Sequence, residues 1–242
     1  DPGSAGEGCN REIYMNTCIL AAWWVVCRED APSRWRLLMG GLTLGVASLL
    51  KTIVAVHWLA LVVWLLLQWR SRTTAQDCPG AKGLSRQLAL FSLGPAFLWV
   101  TALLYFYATG RGSLFADAVF GFNVGYSDTS EAFFMRFLRS FQPLRHPFIF
   151  ESARAIWVCG ILATLALTVA ALRKRSTASN GILLLIVASY LALCLPAQFW
   201  PHYYYLMLPP LVLATALMLG DAAASLAHLE VRTWLPRLLL AA

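Results

Sequence analysis

The sequence predicts an all-α, polytopic integral membrane protein with about seven transmembrane helices and one outer interfacial helix. Three observations predict it. First, 59% of the 242 residues are apolar and 13% are charged, against about 45–50% and 25% in an average soluble domain. Second, the mean hydropathy is +0.64, and the apolar residues fall in runs that match the ~20 helical residues needed to cross a ~30 Å hydrocarbon core. Third, the excess of 19 Lys+Arg over 12 Asp+Glu, a net charge of +7, sits on the links between those runs. Such an excess is a topology signal rather than a nucleic-acid face, so no nucleic-acid partner is expected. The chain opens at Asp1 and closes on an apolar run, and both ends are expected to belong to a longer polypeptide. Residues 1–242 are therefore read as a single transmembrane domain within it.

Five spans are direct: 13–27, 88–107 with Pro95 inside it, 155–172, 181–199 and 203–220. The stretch 37–69 holds 33 residues with one charge, Lys51, and as a single helix it would reach about 50 Å at 1.5 Å per residue. That is too long for one crossing, so a hairpin turning near Lys51 is predicted, which brings the total to seven. The hairpin also gathers Arg28, Arg34, Arg36, Arg70, Arg72, Lys82, Arg86, Arg173, Lys174, Arg175, Arg232 and Arg237 on one side of the membrane. By the positive-inside rule the other side is periplasmic or lumenal. It holds the Lys51 turn, the segment 108–154 with Asp128, and the link 196–202 with Pro201.

The outer segment 108–154 is rich in Phe rather than in the polar residues that keep a chain open. Over 131–141, helical rotation collects Phe133, Phe134, Phe137, Leu138 and Phe141 on one face, with Arg136, Arg139 and Ser140 opposite. That is the pattern of an interfacial helix. Its arginines are either a phosphate-holding pair or cations that merely face water. The six cysteines form no Cys-x-x-Cys pair, and four lie inside apolar runs, where Cys is a small hydrophobe. A zinc site and a disulfide frame are not expected.

Chemistry is sought among the ionisable residues next to the spans, because a charge at membrane depth lines a cavity or meets a partner. Lys51 stands first: the turn holds its ammonium near headgroup depth, pointed at the outer face, where it binds a lipid phosphate or snorkels. On this reading Lys51 serves binding rather than folding. Glu12, in Asn10-Arg11-Glu12, is either a substrate-side carboxylate or a cap for the first helical turn. His57, mid-helix among apolar residues, is read as a core histidine donating to a neighbouring helix. The run Trp200-Pro201-His202-Tyr203-Tyr204 with Pro209-Pro210 joins aromatic rings, an imidazole and helix breakers at one boundary. An aromatic belt accounts for the rings but does not require His202. Pro201 disfavours helix at Trp200 and helps to position His202 at the outer face. The candidate lipid-phosphate-binding residues are thus Lys51, Arg136, Arg139 and His202, with Asn10, Glu12, Tyr203 and Tyr204 facing substrate.

These pieces resemble the polyprenyl-phosphate-sugar-dependent membrane glycosyltransferases of the type C superfamily, which include the dolichyl-phosphate-mannose protein mannosyltransferases. Gly8-Cys9-Asn10-Arg11-Glu12-Ile13-Tyr14-Met15 is similar to the family's Asn-x-Glu-hydrophobic element before a span. Gly41-Leu42-Thr43-Leu44-Gly45 through Leu50-Lys51-Thr52 is similar to its Gly-x-x-x-Gly…Leu-x-Lys helix. Trp200-Pro201-His202-Tyr203-Tyr204 with Leu208-Pro209-Pro210 is similar to its Phe-Pro-His-Tyr…Leu-Pro-Pro link and is the most specific of the three. The resemblance implies an inverting glycosyltransferase that passes a sugar from a polyprenyl-phosphate donor to an acceptor on the periplasmic or lumenal face of a plasma or inner membrane. It also implies that the family's acidic pair, with its catalytic Asp, is not in this chain, which is then either a fragment lacking the first spans or an inactive remnant, so no catalytic residue is assigned within it.

Physical needs fit this chemistry. A sugar leaving a lipid phosphate needs a fixed cation in a partly dry site, and the acceptor hydroxyl needs a carboxylate to take its proton. No Gly-rich phosphate loop followed by Lys-Ser/Thr is present, which argues against direct nucleotide use. No cofactor is expected, although a divalent metal is left open. The partners are a polyprenyl-phosphate-linked sugar and membrane lipids. The rival readings are a transporter or flippase, which inverted repeats with broken helices would favour, and a non-catalytic membrane scaffold.

Overall fold

The computed structural model describes residues 11–28, 32–73, 80–122, 125, 132–140, 147–174, 177–197, 199 and 201–228. Among them every regular element is helical. In chain order these are α1 Arg11–Cys27, α2 Arg34–Leu50, a 3-10 turn at Thr52–Val54, α3 Ala55–Thr73 and α4 Ala81–Ala108. The outer segment supplies α5 Gly112–Ala116 with a π turn at Asp117–Gly121, α6 Phe133–Ser140 and α7 Pro147–Ser152. Then come α8 Arg154–Lys174, α9 Thr177–Cys194, a 3-10 turn at Pro201–Leu206 and α10 Leu208–His228.

Four stretches are long and apolar enough to cross a membrane: Thr52–Arg72, Ala81–Ala108, Arg154–Arg173 and His202–Ala224. The helices α1 and α2 have 17 residues each, about 25 Å at 1.5 Å per residue, which is short of that length. Large apolar side chains such as Val63, Phe97, Val100, Leu162 and Leu165 stand 42–64% exposed along the outside, as lipid-facing residues do.

The break between α2 and α3 falls at Lys51, whose backbone is extended (φ −155°, ψ 123°). Gly40 packs against Val26 and Ala22, so α2 begins where α1 ends, and the two run antiparallel. Gly41 meets Phe91 and Pro95, Gly45 meets Pro95 and Leu98, and Ser48 accepts a 2.8 Å hydrogen bond from Trp99 Nε1. Those registers rise together, so α2 and α4 are parallel. The same reasoning makes α8 and α10 parallel, since Trp157 packs on Tyr204 and Gly160 on Leu211.

Lipid tails offer helices no hydrophobic drive to associate, so close packing through small residues carries the work. The α2–α4 seam shows how. Pro95 has no N–H for the Phe91 carbonyl four residues back, and that oxygen rests against Gly41, where a Cβ would collide with it. Two buried clusters result. One comprises Met15, Ala22, Leu44, Leu61 and Phe91 in α1–α4, and the other Trp157, Leu167, Leu193, Tyr204 and Leu211 in α8–α10. They adjoin where Gly181 of α9 lies against the Trp64 ring of α3.

The start of α1, the Lys51 turn, the end of α4, the start of α8 and the 3-10 turn before α10 therefore share one end of the bundle. Arg28, Arg34, Arg36, Arg70, Arg72, Lys82, Arg86 and Arg173 share the other. Three expected boundaries shift. The span expected at 88–107 is a longer helix that starts at Ala81, the one expected at 181–199 ends at Cys194, and the last helix starts at Leu208. Pro196 disfavours helix at Leu195 and ends α9 at Cys194, and the left-handed Ala197 (φ 58°) and Phe199 (φ 44°) keep a right-handed helix from resuming. Pro209 and Pro210 sit in the first turn of α10, where a missing N–H costs nothing.

The amphipathic reading of the outer helix is corrected in part. Phe134, Met135 and Leu138 are exposed, but Phe137 stacks edge-on against Tyr190 of α9, 5.4 Å between centroids. Ser140, expected to face water, is 3% exposed and shares a hydrogen bond with the Tyr190 hydroxyl. The end of α9 takes these two residues, which leaves a narrower apolar face outward. Asn10, Asp128, Phe141, Arg175, Trp200, Arg232 and Arg237 lie outside the described residues.

Candidate functional site

Four of the singled-out residues meet at the end of the bundle remote from the basic cluster. Glu12 comes from the first turn of α1, Lys51 from the break between α2 and α3, and His202 and Tyr203 from the 3-10 turn before α10. The Lys51 ammonium is ion-paired and hydrogen-bonded to Glu12 Oε1. His202 Nε2 lies 3.8 Å from the same oxygen. Lys51 Nζ also sits 3.7 Å from the centroid of the Tyr203 ring, a cation–π contact. The Tyr203 ring in turn packs edge-on against His202, 4.6 Å between centroids.

Exposure is graded across this group. Glu12 is 1% exposed, Lys51 16% and His202 33%, so the carboxylate forms the floor and the imidazole the rim. The sequence points Lys51 at the outer face, where it binds a lipid phosphate or snorkels; its side chain is instead 16% exposed and held by a buried carboxylate and an aromatic face.

Local sequence explains each placement. Thr52–Val54 follows the extended Lys51 as a single 3-10 turn before α3 resumes, so the chain reverses without a loop. The 3-10 turn carrying His202 starts at Pro201 and is tied to α1 by Asn16 Nδ2, which donates to the Tyr205 carbonyl at 2.8 Å. Asn16 was not singled out in the sequence. Its signal is a lone amide inside an apolar run, which at membrane depth needs a partner.

The remaining candidates are placed elsewhere. Tyr204 turns away from the group, 2% exposed, with its ring against Trp157 and its hydroxyl donating to the Ser140 carbonyl at 3.4 Å. Successive residues of a 3-10 turn point about 120° apart, so neighbouring tyrosines cannot both face the same site. Arg136 Nη1 donates to the Leu195 carbonyl at 3.4 Å, favourable for a cation at the end of α9, and Arg139 is exposed on the same short helix. His57 is 0% exposed, and neither ring nitrogen has a hydrogen-bond partner among the described residues, so the expected donation to a neighbouring helix is not seen. No cluster of three His, Cys, Asp or Glu able to hold a metal occurs among the described residues.

An apolar groove of about 460 Å³ opens between α2, α3 and α4, lined by Leu44, Ser48, Thr52, Val54, Trp58, Trp99 and Phe120 of the π turn among others. None of the four grouped residues lines it, and Lys51 is joined to it through the backbone of its neighbour Thr52.

No family model, curated protein or solved structure matches this chain.

Proposed function

We propose that the chain is the membrane module of an inverting glycosyltransferase that takes a sugar from a polyprenyl-phosphate donor on the periplasmic or lumenal side. The convergence of Lys51, Glu12, His202 and Tyr203 carries this reading, because it sets a cation for an anionic head at the bundle end, and the apolar groove that starts at the next residue in sequence, Thr52, offers a surface for an apolar tail. In this reaction the acceptor hydroxyl gives its proton to a carboxylate base, its oxygen forms a bond to the anomeric carbon, the bond from that carbon to the phosphate oxygen breaks, and the electron pair leaves with the phosphate. Lys51 stabilises the charge that develops there, His202 donates to a second phosphate oxygen, and Tyr203 holds the ammonium in place. An apolar cavity of 150 Å³ takes one benzene ring, so 460 Å³ accommodates about eighteen carbons, or three to four isoprene units. The rest of the tail stays in the bilayer.

The test is radiolabelled sugar transfer from a polyprenyl-phosphate-sugar by the intact protein in liposomes. His202→Gln is expected to reduce transfer by about tenfold, the value of one charge-assisted hydrogen bond, with membrane insertion unchanged. An unchanged rate between pH 5.5 and 8 would leave His202 as part of an aromatic belt.

The orientation is tested separately by cysteine labelling in sealed cells, in a background stripped of native cysteines. A Cys at Gly110, after α4, is expected to react with an impermeant maleimide, and one at Lys82, before α4, is expected to be protected. Equal labelling of both would overturn the orientation.

A further inference from the structure

We propose that Glu12 occupies the seat of the donor phosphate, so that the site is held shut by its own carboxylate until an anionic head displaces it. This rests on the donor reading above and adds how the site is kept closed.

An ammonium has three N–H donors. Here one is taken by Glu12, the ring of Tyr203 covers a second direction at 3.7 Å, and only 16% of the Lys51 side chain reaches the surface. Paired in this way, Lys51 and Glu12 sum to no net charge, and the ammonium is covered by the chain's own carboxylate. Glu12 is 1% exposed and cannot leave for water, since an unpaired buried carboxylate carries a large desolvation cost. A second cationic group is already in range: His202 Nε2 stands 3.8 Å from the same Oε1. A small rotation of the carboxylate passes it from Lys51 to Nε2 of a protonated His202, whose Nδ1–H donates to the phosphate, and leaves the ammonium to the phosphate as well. The Glu12 carboxylate is thus a latch with two positions, closed on Lys51 and open on His202.

The latch is tested by binding of farnesyl phosphate to the intact protein in phosphatidylcholine nanodiscs, with farnesol as the uncharged reference. Glu12→Gln removes the competing carboxylate and is expected to tighten farnesyl phosphate binding by about tenfold, the value of one charge-assisted contact. Glu12→Asp keeps the charge but withdraws it by one methylene, and it is expected to tighten binding by at least about threefold, since weakening the pair releases part of the same contact. Thermal unfolding of each variant is followed in parallel, and Glu12→Asp is decisive because simple repulsion by a nearby negative charge would leave it at the wild-type affinity. Wild-type affinity in Glu12→Asp, or unchanged or weaker binding in Glu12→Gln, overturns the latch while leaving the donor reading in place. Failure of Glu12→Gln to prefer farnesyl phosphate over farnesol overturns both.

Discussion

Lys51→Met is expected to destabilise the bundle by about 3–5 kcal/mol, the cost of removing one partner from a buried ion pair. Glu12 is 1% exposed, so once Lys51 is gone its carboxylate loses the ammonium that contacts it, and the His202 imidazole 3.8 Å away is a cation only when protonated. The pair also fastens the start of α1 to the break between α2 and α3, so its loss loosens two helix junctions. Combining Glu12→Gln with Lys51→Met removes both charges and is expected to restore most of the stability, because no buried charge is then left unpaired. Thermal unfolding followed by tryptophan fluorescence in detergent measures both variants. A Lys51→Met protein as stable as the wild type would mean that the pair forms in open water and contributes little. This expectation revises the sequence-based view of Lys51 as a residue for binding alone, since the partner that gives it a structural role lies 39 positions away.

Gly94→Leu is expected to separate α2 from α4. A Cβ at Gly94 would fall on the backbone of Gly41 and Leu42, and backbone cannot rotate aside as a side chain can. The cost is about 3 kcal/mol, the upper end of ordinary overpacking, and it falls on the seam that also holds the Trp99–Ser48 hydrogen bond and one wall of the groove. Gly80→Ala is the control, because nothing lies within 4 Å of its added Cβ and it sits just before α4. Equal expression and equal thermal midpoints for Gly94→Leu and Gly80→Ala would show that the two helices are not in contact at this seam.

What the sequence determined by itself was local. Hydropathy and run length specify an all-helical chain with membrane-crossing stretches, because each residue in a lipid-crossing helix must satisfy its backbone within the helix and present an apolar side chain. The length of the 37–69 run, set against the reach of one helix, located the turn at Lys51. The Gly-x-x-x-Gly spacing marked a close-packing face, and Pro201 marked the start of a turn.

Only the tertiary structure decided which of the marked residues meet. Glu12, Lys51 and His202 come together because α1 and α2 run antiparallel and Asn16 ties the 3-10 turn to α1, and neither relation leaves a periodic trace in the sequence. The same packing sends Tyr203 toward Lys51 and its neighbour Tyr204 into the core beside Trp157, a difference that two consecutive identical residues cannot encode. It turns Ser140 inward to Tyr190 against its amphipathic assignment, because the end of α9 offered a buried hydroxyl that needed a partner. The physical reason is common to all three: helix formation and membrane depth are settled by near neighbours, whereas the direction in which a polar side chain points is settled by the partner that other helices bring within reach.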